Sequence, residues 1–399
     1  MGIPHAGGDL YGRHAELLSQ GNRLTVVAPW TPANEGAVDR PARGSYRRVV
    51  VVPRGRRAGG RRGGRSLLAR ALPFLTTGPF LRALLADEDL VTTLRRADRI
   101  ELQWFDAIAL APRLARAFPG TPLSGVFHDV ASQGHLRRVV GPGIPLGHRV
   151  IALARLLLTV PLERRAMRVL ETAVVISAKD RGLLARRGGG ASVVVLHPTL
   201  DDQEMPEVPR HEAPSAPEVL FVGALWRREN EDAALWLLRD IWPRVRERVP
   251  EARLTIAGAD PTAPLRREVT VADGVELTGH VESLAPYYRR ASVAVAAMRL
   301  GAGVKLKCIV AMMWGVPVVA TSVGAEGVEG PDVFLAVEDD ATDLADTVVR
   351  ALTQPGPALE VAARAHSWSH AQYSSAAYRR ALEDLYGRSP REVRSRRPV

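Results

Sequence analysis

Residues 301–321 read GAGVKLKCIVAMMWGVPVVAT, and they hold two of the chain's three lysines. Lys305 and Lys307 follow directly on Gly301 and Gly303, while 51 of the 54 basic side chains are arginine. Glycines let backbone N–H groups approach an anion, and a helix N-terminus already favours negative charge. Lysines add point charges to such a place. Residues two apart on a helix do not share a face, so one lysine reaches a bound phosphate while the other points elsewhere. A structural turn explains the glycines alone equally well. With both rare lysines beside them, phosphate binding is the stronger reading. A second candidate is His128, which closes the run PLSGVFHD (122–129). A histidine at a strand's carboxyl end faces the crevice where open α/β sheets bind ligands. The competing reading is a histidine that only caps the strand–loop junction, with Asp129 orienting the loop. His5, His14 and His280 read as ordinary surface or packing residues.

The elements that must position these groups alternate along the chain. LTVVAP (24–29), YRRVVVVP (46–53), DRIELQW (98–104), PLSGVFHD, TAVVIS (172–177) and ASVVVLHP (191–198) read as buried strands. Helical stretches such as 66–85 and 104–117 separate them. This pattern predicts a parallel sheet with crossover helices. Residues 201–218 (DDQEMPEVPRHEAPSAPE) are acidic, proline-rich and aperiodic, as a linker would be. Beyond them the alternation restarts with EVLFVG (218–223), ARLTIAG (252–258), GVELTG (274–279), ASVAVAA (291–297), VPVVAT (316–321) and VFLAVE (333–338). A helix is expected over 304–314. The prediction is an α/β chain of two doubly wound, Rossmann-like domains, 1–200 and 219–365, with a terminal helix over 366–387 and a basic tail over 388–399. The first domain lacks an opening strand, which either lies upstream of Met1 or does not exist.

Composition narrows the function classes. At 399 residues, with 46% hydrophobic and 24% charged side chains, the chain suits two globular domains. The single cysteine, Cys308, excludes an intramolecular disulfide and fits a reducing compartment. Cysteines cannot build a metal site, and the ten histidines show no HExxH spacing. No signal peptide is visible at the start, and the longest apolar stretch (150–161) is too short to span a bilayer and is interrupted by Arg155. The formal charge of +11 is lopsided: residues 1–200 carry 30 basic and 14 acidic side chains, residues 201–399 carry 24 and 29. One half is therefore expected to meet something anionic. No G-x-G-x-x-G follows a first strand, which argues against a nicotinamide-dependent oxidoreductase.

The segments GALWRRENEDAALWLLRDIW (223–242), GVELTGHV (274–281), GAGVKLKCIVAMMWGVPVVATSVGAEGV (301–328) and FLAVEDDATDLADTVVRAL (334–352) resemble retaining glycosyltransferases of family four, with the GT-B fold. The resemblance covers most of 217–370. In the first half it is thinner, resting on Gly7-Gly8, GVFHDVASQ (125–133) and VVISAKDRGLL (174–184). It implies two domains facing each other across a cleft, with the C-terminal helix returning to the first. It implies a nucleotide diphosphate sugar held by the second domain as co-substrate, with no metal and no other cofactor. The acceptor, a saccharide or a polyprenyl or other lipid-linked molecule, would lie on the first domain. In the family an arginine and a lysine neutralise the diphosphate. The matching positions are Arg227 or Arg228, after Gly223, with Lys305 or Lys307. Arg228 stands two residues before Asn230, as in the family's RPN run, with Glu229 replacing proline. His128 matches a cleft histidine that contacts the transferred sugar or the acceptor, beside Asp129. Gly7-Gly8 matches a glycine loop that lets backbone approach the donor diphosphate.

One position departs from the family. The run K-x-x-E-A-M, whose glutamate holds the donor ribose, is here Lys307-Cys308-Ile309-Val310-Ala311-Met312, and an earlier acidic position falls on Ala302. Either a nearby acid such as Glu326 takes over the ribose contact, or the donor is gripped mainly by its diphosphate, with weaker affinity. The alternative implication is a catalytically silent GT-B protein that binds or scaffolds. The arginine loop RGRRAGGRRGGR (54–65) precedes an apolar stretch and suggests an anionic membrane surface, with a solvated loop as the plainer reading. Nucleic acid is disfavoured, because the arginines have no interleaved aromatics. The expected location is the cytoplasm, at or near the inner face of the membrane.

Overall fold

A computed structural model describes residues 6–31, 34, 46–51, 77–140, 146–200, 202–212, 214–301 and 303–387. The arginine loop 54–65, most of the apolar stretch after it, Ala302 and the basic tail 388–399 lie outside the described residues. The chain forms two compact units, residues 1–199 with 378–399, and residues 200–377.

The second unit holds six parallel strands: β7 (Glu218–Val222), β8 (Arg253–Ala257), β9 (Val275–Gly279), β10 (Val293–Ala296), β11 (Val318–Ala320) and β12 (Ala336–Val337), in the spatial order β12-β11-β10-β7-β8-β9. Strand alternation splits the apolar side chains between two cores. Val219, Phe221, Leu254, Ile256, Val293 and Val295 enter one core. Leu220, Ala257, Ala294, Ala296, Val318 and Ala320 enter the other. Both faces are therefore buried under helices, which is why the strands read as nearly continuous apolar runs. The winding direction reverses between β7 and β10, and in such sheets the crevice beyond the carboxyl ends at that reversal is where ligands sit.

Residues 202–212 are not a free linker. The Arg210 guanidinium donates to the carbonyls of Tyr288 (2.9 Å), Arg289 (2.9 Å) and Ala291 (2.7 Å), and Pro206 O lies 2.9 Å from His366 Nε2. Prolines keep the segment from pairing as a strand, and it is tied down instead by its own Arg210, which satisfies three backbone carbonyls, and by the contact of Pro206 O with His366. The expected terminal helix is also two helices, Pro355–Tyr373 and Ser375–Tyr386. Ser374 interrupts them in extended conformation, and its hydroxyl accepts from Ala377 N (3.2 Å) as an N-cap.

In the first unit β1 (Thr25–Pro29) pairs in parallel with β2 (Arg47–Val51). Separately, β3 (Ile100–Gln103), β4 (Leu123–Phe127), β5 (Thr172–Val175) and β6 (Ser192–Val195) form a four-stranded parallel sheet. Among the described residues no strand precedes β1. Gly7 and Gly8 lie in the first turn of helix Ala6–Ser19, where a loop was expected. The stretch 104–117 is two helices, Trp104–Ile108 and Ala111–Ala117. Tyr378 and Leu382 of the last helix bury against Val126, Val174 and Leu196, so that helix does belong to the first unit's core.

Candidate functional site

The second unit gathers cations at the β7/β10 reversal. After β7 the chain turns through Gly223 into helix Arg228–Trp236, with Arg227 at its N-cap position. After β10 it passes Gly301 and Gly303 into helix Leu306–Met313, with Lys305 at the N-cap position. Gly301 has φ of 117° and Gly303 of 80°, a region that favours glycine. A Cβ on Gly301 would stand 3.8 Å from Glu229 and 4.0 Å from Lys305 Nζ, so the two loops meet here. Gly223 is glycine for a different reason: a Cβ there would lie 2.9 Å from the Asn230 side chain.

The two lysines divide as their spacing demands. Lys307 Nζ donates to Asn230 Oδ1 (2.7 Å) and lies 4.8 Å from the centre of the Phe221 ring and 3.5 Å from Met298 Sδ. Asn230 in turn donates to Ala224 O (3.0 Å), which fixes its amide orientation. Burial pushes the Lys307 ammonium down to about 8, helped by the charges of Lys305 and Arg227 and opposed by Glu229. Lys305 turns back to donate to Gly303 O (2.8 Å) and lies 3.6 Å from Glu326 Oε2. Arg227 pairs with Glu229 at 2.8 Å. Arg228 is exposed on the first turn of its helix. Glu326 therefore holds a lysine in this structure. Val310 lies one turn beyond Lys307, on the same helix face, and packs partly buried against the second core. Glu229, Asn230, Phe221 and Met298 were not expected to surround a lysine. Only Asn230 had a signal, its place after Arg228.

The first unit builds a polar chain around the carboxyl ends of β3 and β4. His128 Nε2 is 2.8 Å from Gln103 Oε1, and Gln103 Nε2 donates to Glu101 Oε1 (2.6 Å). Because the Gln103 amide nitrogen serves Glu101, its oxygen faces His128, so His128 Nε2 carries the proton and Nδ1 is the acceptor. Burial, with His14 nearby, pushes His128 down to about 4 although Glu101 pulls the other way, and the ring is neutral near pH 7. His14 Nε2 donates to Glu101 Oε1 (2.7 Å), and its Nδ1 is 2.6 Å from the Tyr378 hydroxyl. Tyr386 also donates to Glu101. Burial alone would push the Glu101 carboxyl up, but His14, Tyr386 and Gln103 together hold it at about 2.

His14 is thus no ordinary packing residue: it is buried and joins the start of the chain to the last helix. Trp104 stacks on His128, with ring centroids 4.8 Å apart and planes 15° apart. Its φ of 64° is costly for a bulky residue and is kept where the surroundings enforce it. Asp129 is exposed beside them. Neither Trp104 nor Glu101 was singled out from the sequence, because a network joining positions 14, 101, 128 and 378 leaves no local pattern. Among the described residues, no three His, Cys, Asp or Glu side chains come together in a way that could hold a metal ion.

Two Rossmann-like units of this kind define the GT-B fold, and the chain has that fold. Residues 216–354 match the family described as glycosyl transferases group 1, so that segment is a domain of that kind. HepE of Anabaena, crystallised with UDP and glucose, superposes with a TM-score of 0.66 at 14% identity, covering 97% of both chains. Sucrose-phosphate synthase of Thermosynechococcus elongatus superposes with a TM-score of 0.67 at 19% identity, over 98% of this chain and 94% of that one. In sequence, D-inositol 3-phosphate glycosyltransferase of Mycolicibacterium smegmatis is 32% identical over 178 residues, 39% of this chain and 40% of that protein. An uncharacterized 44.6 kDa protein from the cps region of Klebsiella pneumoniae is 34% identical over 116 residues, 27% and 30% of the two chains. The match thus spans well under half the length of either relative.

Proposed function

We propose that this protein is a retaining glycosyltransferase that moves a hexose from a nucleotide diphosphate sugar to a hydroxyl of a saccharide or lipid-linked acceptor, without a metal. The cation cluster at the β7/β10 reversal carries this reading. Arg227, Lys305 and Lys307 stand together there, with Glu229 and Glu326 among the described acids beside them. A departing nucleoside diphosphate develops negative charge as the anomeric C–O bond breaks. Preorganised cations at a helix N-terminus stabilise that charge and cost no reorganisation when the bond breaks. Arg227 fits the role better than Arg228, because its ion pair with Glu229 draws it to the place where the two loops meet. Arginine serves as well as lysine here, because its fork matches phosphate oxygens. Gly301 and Gly303 let backbone approach the anion, and Glu326 is the acid nearest to a ribose.

The acceptor is assigned to the first unit. Neutral His128, with Nε2–H committed to Gln103, offers Nδ1 as an acceptor to a sugar hydroxyl, and exposed Asp129 offers a second acceptor beside it. Gly7-Gly8, at the start of helix Ala6–Ser19, are assigned to the donor diphosphate on the strength of the resemblance. The cps-region relative points toward polysaccharide synthesis as the setting.

Val310 favours a second reading, a silent GT-B protein, since a valine cannot accept a ribose hydrogen bond. The clustered cations oppose it: a site that had lost its anion would gain nothing from keeping a lysine buried at Asn230. Calorimetric titration with a panel of nucleoside diphosphates, UDP first because HepE holds it, tests both readings. Binding of a diphosphate, followed by transfer of labelled sugar from the matching donor, is expected. No nucleotide binding and no donor turnover would overturn the enzyme reading.

A further inference from the structure

Trp104 is held in a way that packing alone does not call for. It follows β3 directly, and 38% of its surface reaches solvent although tryptophan is the bulkiest of side chains. Two rings hold the indole: His128 stacks on it at 4.8 Å, and Tyr11 lies 5.3 Å away with its plane tilted by 52°. The backbone φ of 64° lies in the left-handed region, where a bulky residue is strained. A residue kept at that cost for the sake of the core would be covered. Here the strain and the two ring contacts fix an aromatic surface that stays open to solvent, the kind of arrangement found at ligand sites.

The polar groups beside the ring indicate what would stack on it. Asp106 stands two residues further on and Asp129 directly follows His128, and both side chains are exposed. The surrounding protein nevertheless displaces enough water to push both carboxyls up, against the pull of Arg138 in the case of Asp129. They therefore lie against a wall of protein, within reach of a ligand that rests on it. A pyranose has two kinds of surface. Its ring C–H groups lie flat on an aromatic face, and the hydroxyls around its rim donate to carboxylates and to a neutral imidazole nitrogen. Trp104 offers the first contact; Asp106, Asp129 and His128 Nδ1 offer the second. An isoprenyl phosphate has no such ring, and two carboxylates would repel its charge. We propose that Trp104, braced by His128 and Tyr11, is a sugar-stacking platform, and that the group it receives is an uncharged hexopyranose, free or at the end of a longer carrier, and not a lipid phosphate. That this hexopyranose is the acceptor rests on the transfer reading above, whereas its binding needs no donor.

The test reads binding to the full-length chain without nucleotide, by saturation-transfer difference NMR. The probes are methyl glucopyranosides, galactopyranosides and mannopyranosides with the corresponding disaccharides. At least one should bind, with the C–H protons of one ring face saturated most strongly. Glucitol, which has the hydroxyls without the ring, and citronellyl phosphate, a short isoprenyl phosphate, should not bind. Trp104→Asn removes the indole and installs a residue that tolerates the left-handed backbone, so its thermal melt should stay close to that of wild type while pyranoside affinity falls by about tenfold. Trp104→Phe keeps an aromatic face and should lose no more than about threefold. Asp106→Asn changes an exposed side chain and should weaken binding several-fold; it decides the matter with Trp104→Phe if Trp104→Asn does not fold. The proposal is overturned if no pyranoside binds, if Trp104→Asn or Asp106→Asn binds as wild type does, or if citronellyl phosphate binds and loses that binding in Trp104→Asn. Nucleoside diphosphate binding is measured separately. Its absence would remove the transfer reading and leave pyranoside binding standing, while its presence without pyranoside binding would remove this proposal alone.

Discussion

Raising the pH from 7 to 9 should weaken nucleoside diphosphate binding through one side chain. Lys307 is held at about 8 because its ammonium is buried beside Phe221 and Met298. It is therefore about nine-tenths protonated at pH 7 and about one-tenth at pH 9. If the anion needs the charged form, affinity drops by about tenfold over that range, or about 1.4 kcal/mol. The same linkage requires proton uptake, because a bound diphosphate raises the lysine's pKa; near pH 8 this approaches about half a proton per site. Calorimetry in two buffers of different ionisation enthalpy measures that uptake directly. The Lys307→Met variant should bind more weakly at pH 7 and take up no proton, and the corresponding nucleoside should show neither effect. Flat affinity between pH 7 and 9, or proton uptake that survives in Lys307→Met, would refute the reasoning.

Val310→Glu should tighten donor binding by about 1–3 kcal/mol if the ribose lies beside it, so an unchanged dissociation constant for the nucleotide sugar would move the ribose elsewhere. Gly223→Ala puts a methyl 2.9 Å from the Asn230 side chain and should displace it from Lys307; diphosphate affinity should fall by several-fold, measured by the same calorimetry. Glu101 is held at about 2 against an ordinary value of 4.5, so the carboxylate stabilises the fold above the ordinary value and loses that contribution as pH falls toward 2. Glu101→Gln should therefore cost on the order of 3 kcal/mol at pH 7, and the gap to wild type should close between about pH 4.5 and 2 in denaturant titrations. His128 works in the same direction at higher pH. Its folded-state value of about 4 makes the native state resist protonation, so stability should begin to decline below about pH 6.5, and His128→Phe should soften that first decline.

How much of this was legible follows from how locally each feature is encoded. Strand positions in the second unit were readable because both sheet faces are buried, so runs such as VLFV and VAVA are apolar throughout. Gly301, Gly303 and the two lysines were readable because they are rare residues in one short run. The break at Ser374 was not, since helical periodicity continues through it and only a hydroxyl's choice of partner marks the new N-cap. Residues 202–212 read as a linker because prolines suppress periodicity, and the cation that anchors them, Arg210, finds its three carbonyls some 80 residues downstream. The pairing of Lys307 with Asn230 and the web around Glu101 depend on which strands neighbour which, and no single stretch of sequence carries that.

The resting arrangement of the cations also bears on how the missing glutamate is tolerated. Each carboxylate at the β7/β10 reversal already has a basic partner: Glu229 is held by Arg227 and Glu326 by Lys305. A diphosphate must compete with those carboxylates, and it has the advantage of carrying more charge and offering more oxygens. On the proposed function, an anion that took Lys305 would loosen its hold on Glu326 and turn that carboxylate toward a ribose hydroxyl, while Val310 stays partly buried against the second core. Ribose recognition would then be conditional on phosphate binding, whereas a glutamate at 310 would offer it in advance. In that arrangement a nucleoside without phosphates meets a site whose carboxylates, Glu229 and Glu326, are both engaged. Discrimination between nucleoside and nucleoside diphosphate should accordingly be steeper than the added phosphate contacts alone would produce, and Glu326→Gln should reduce it.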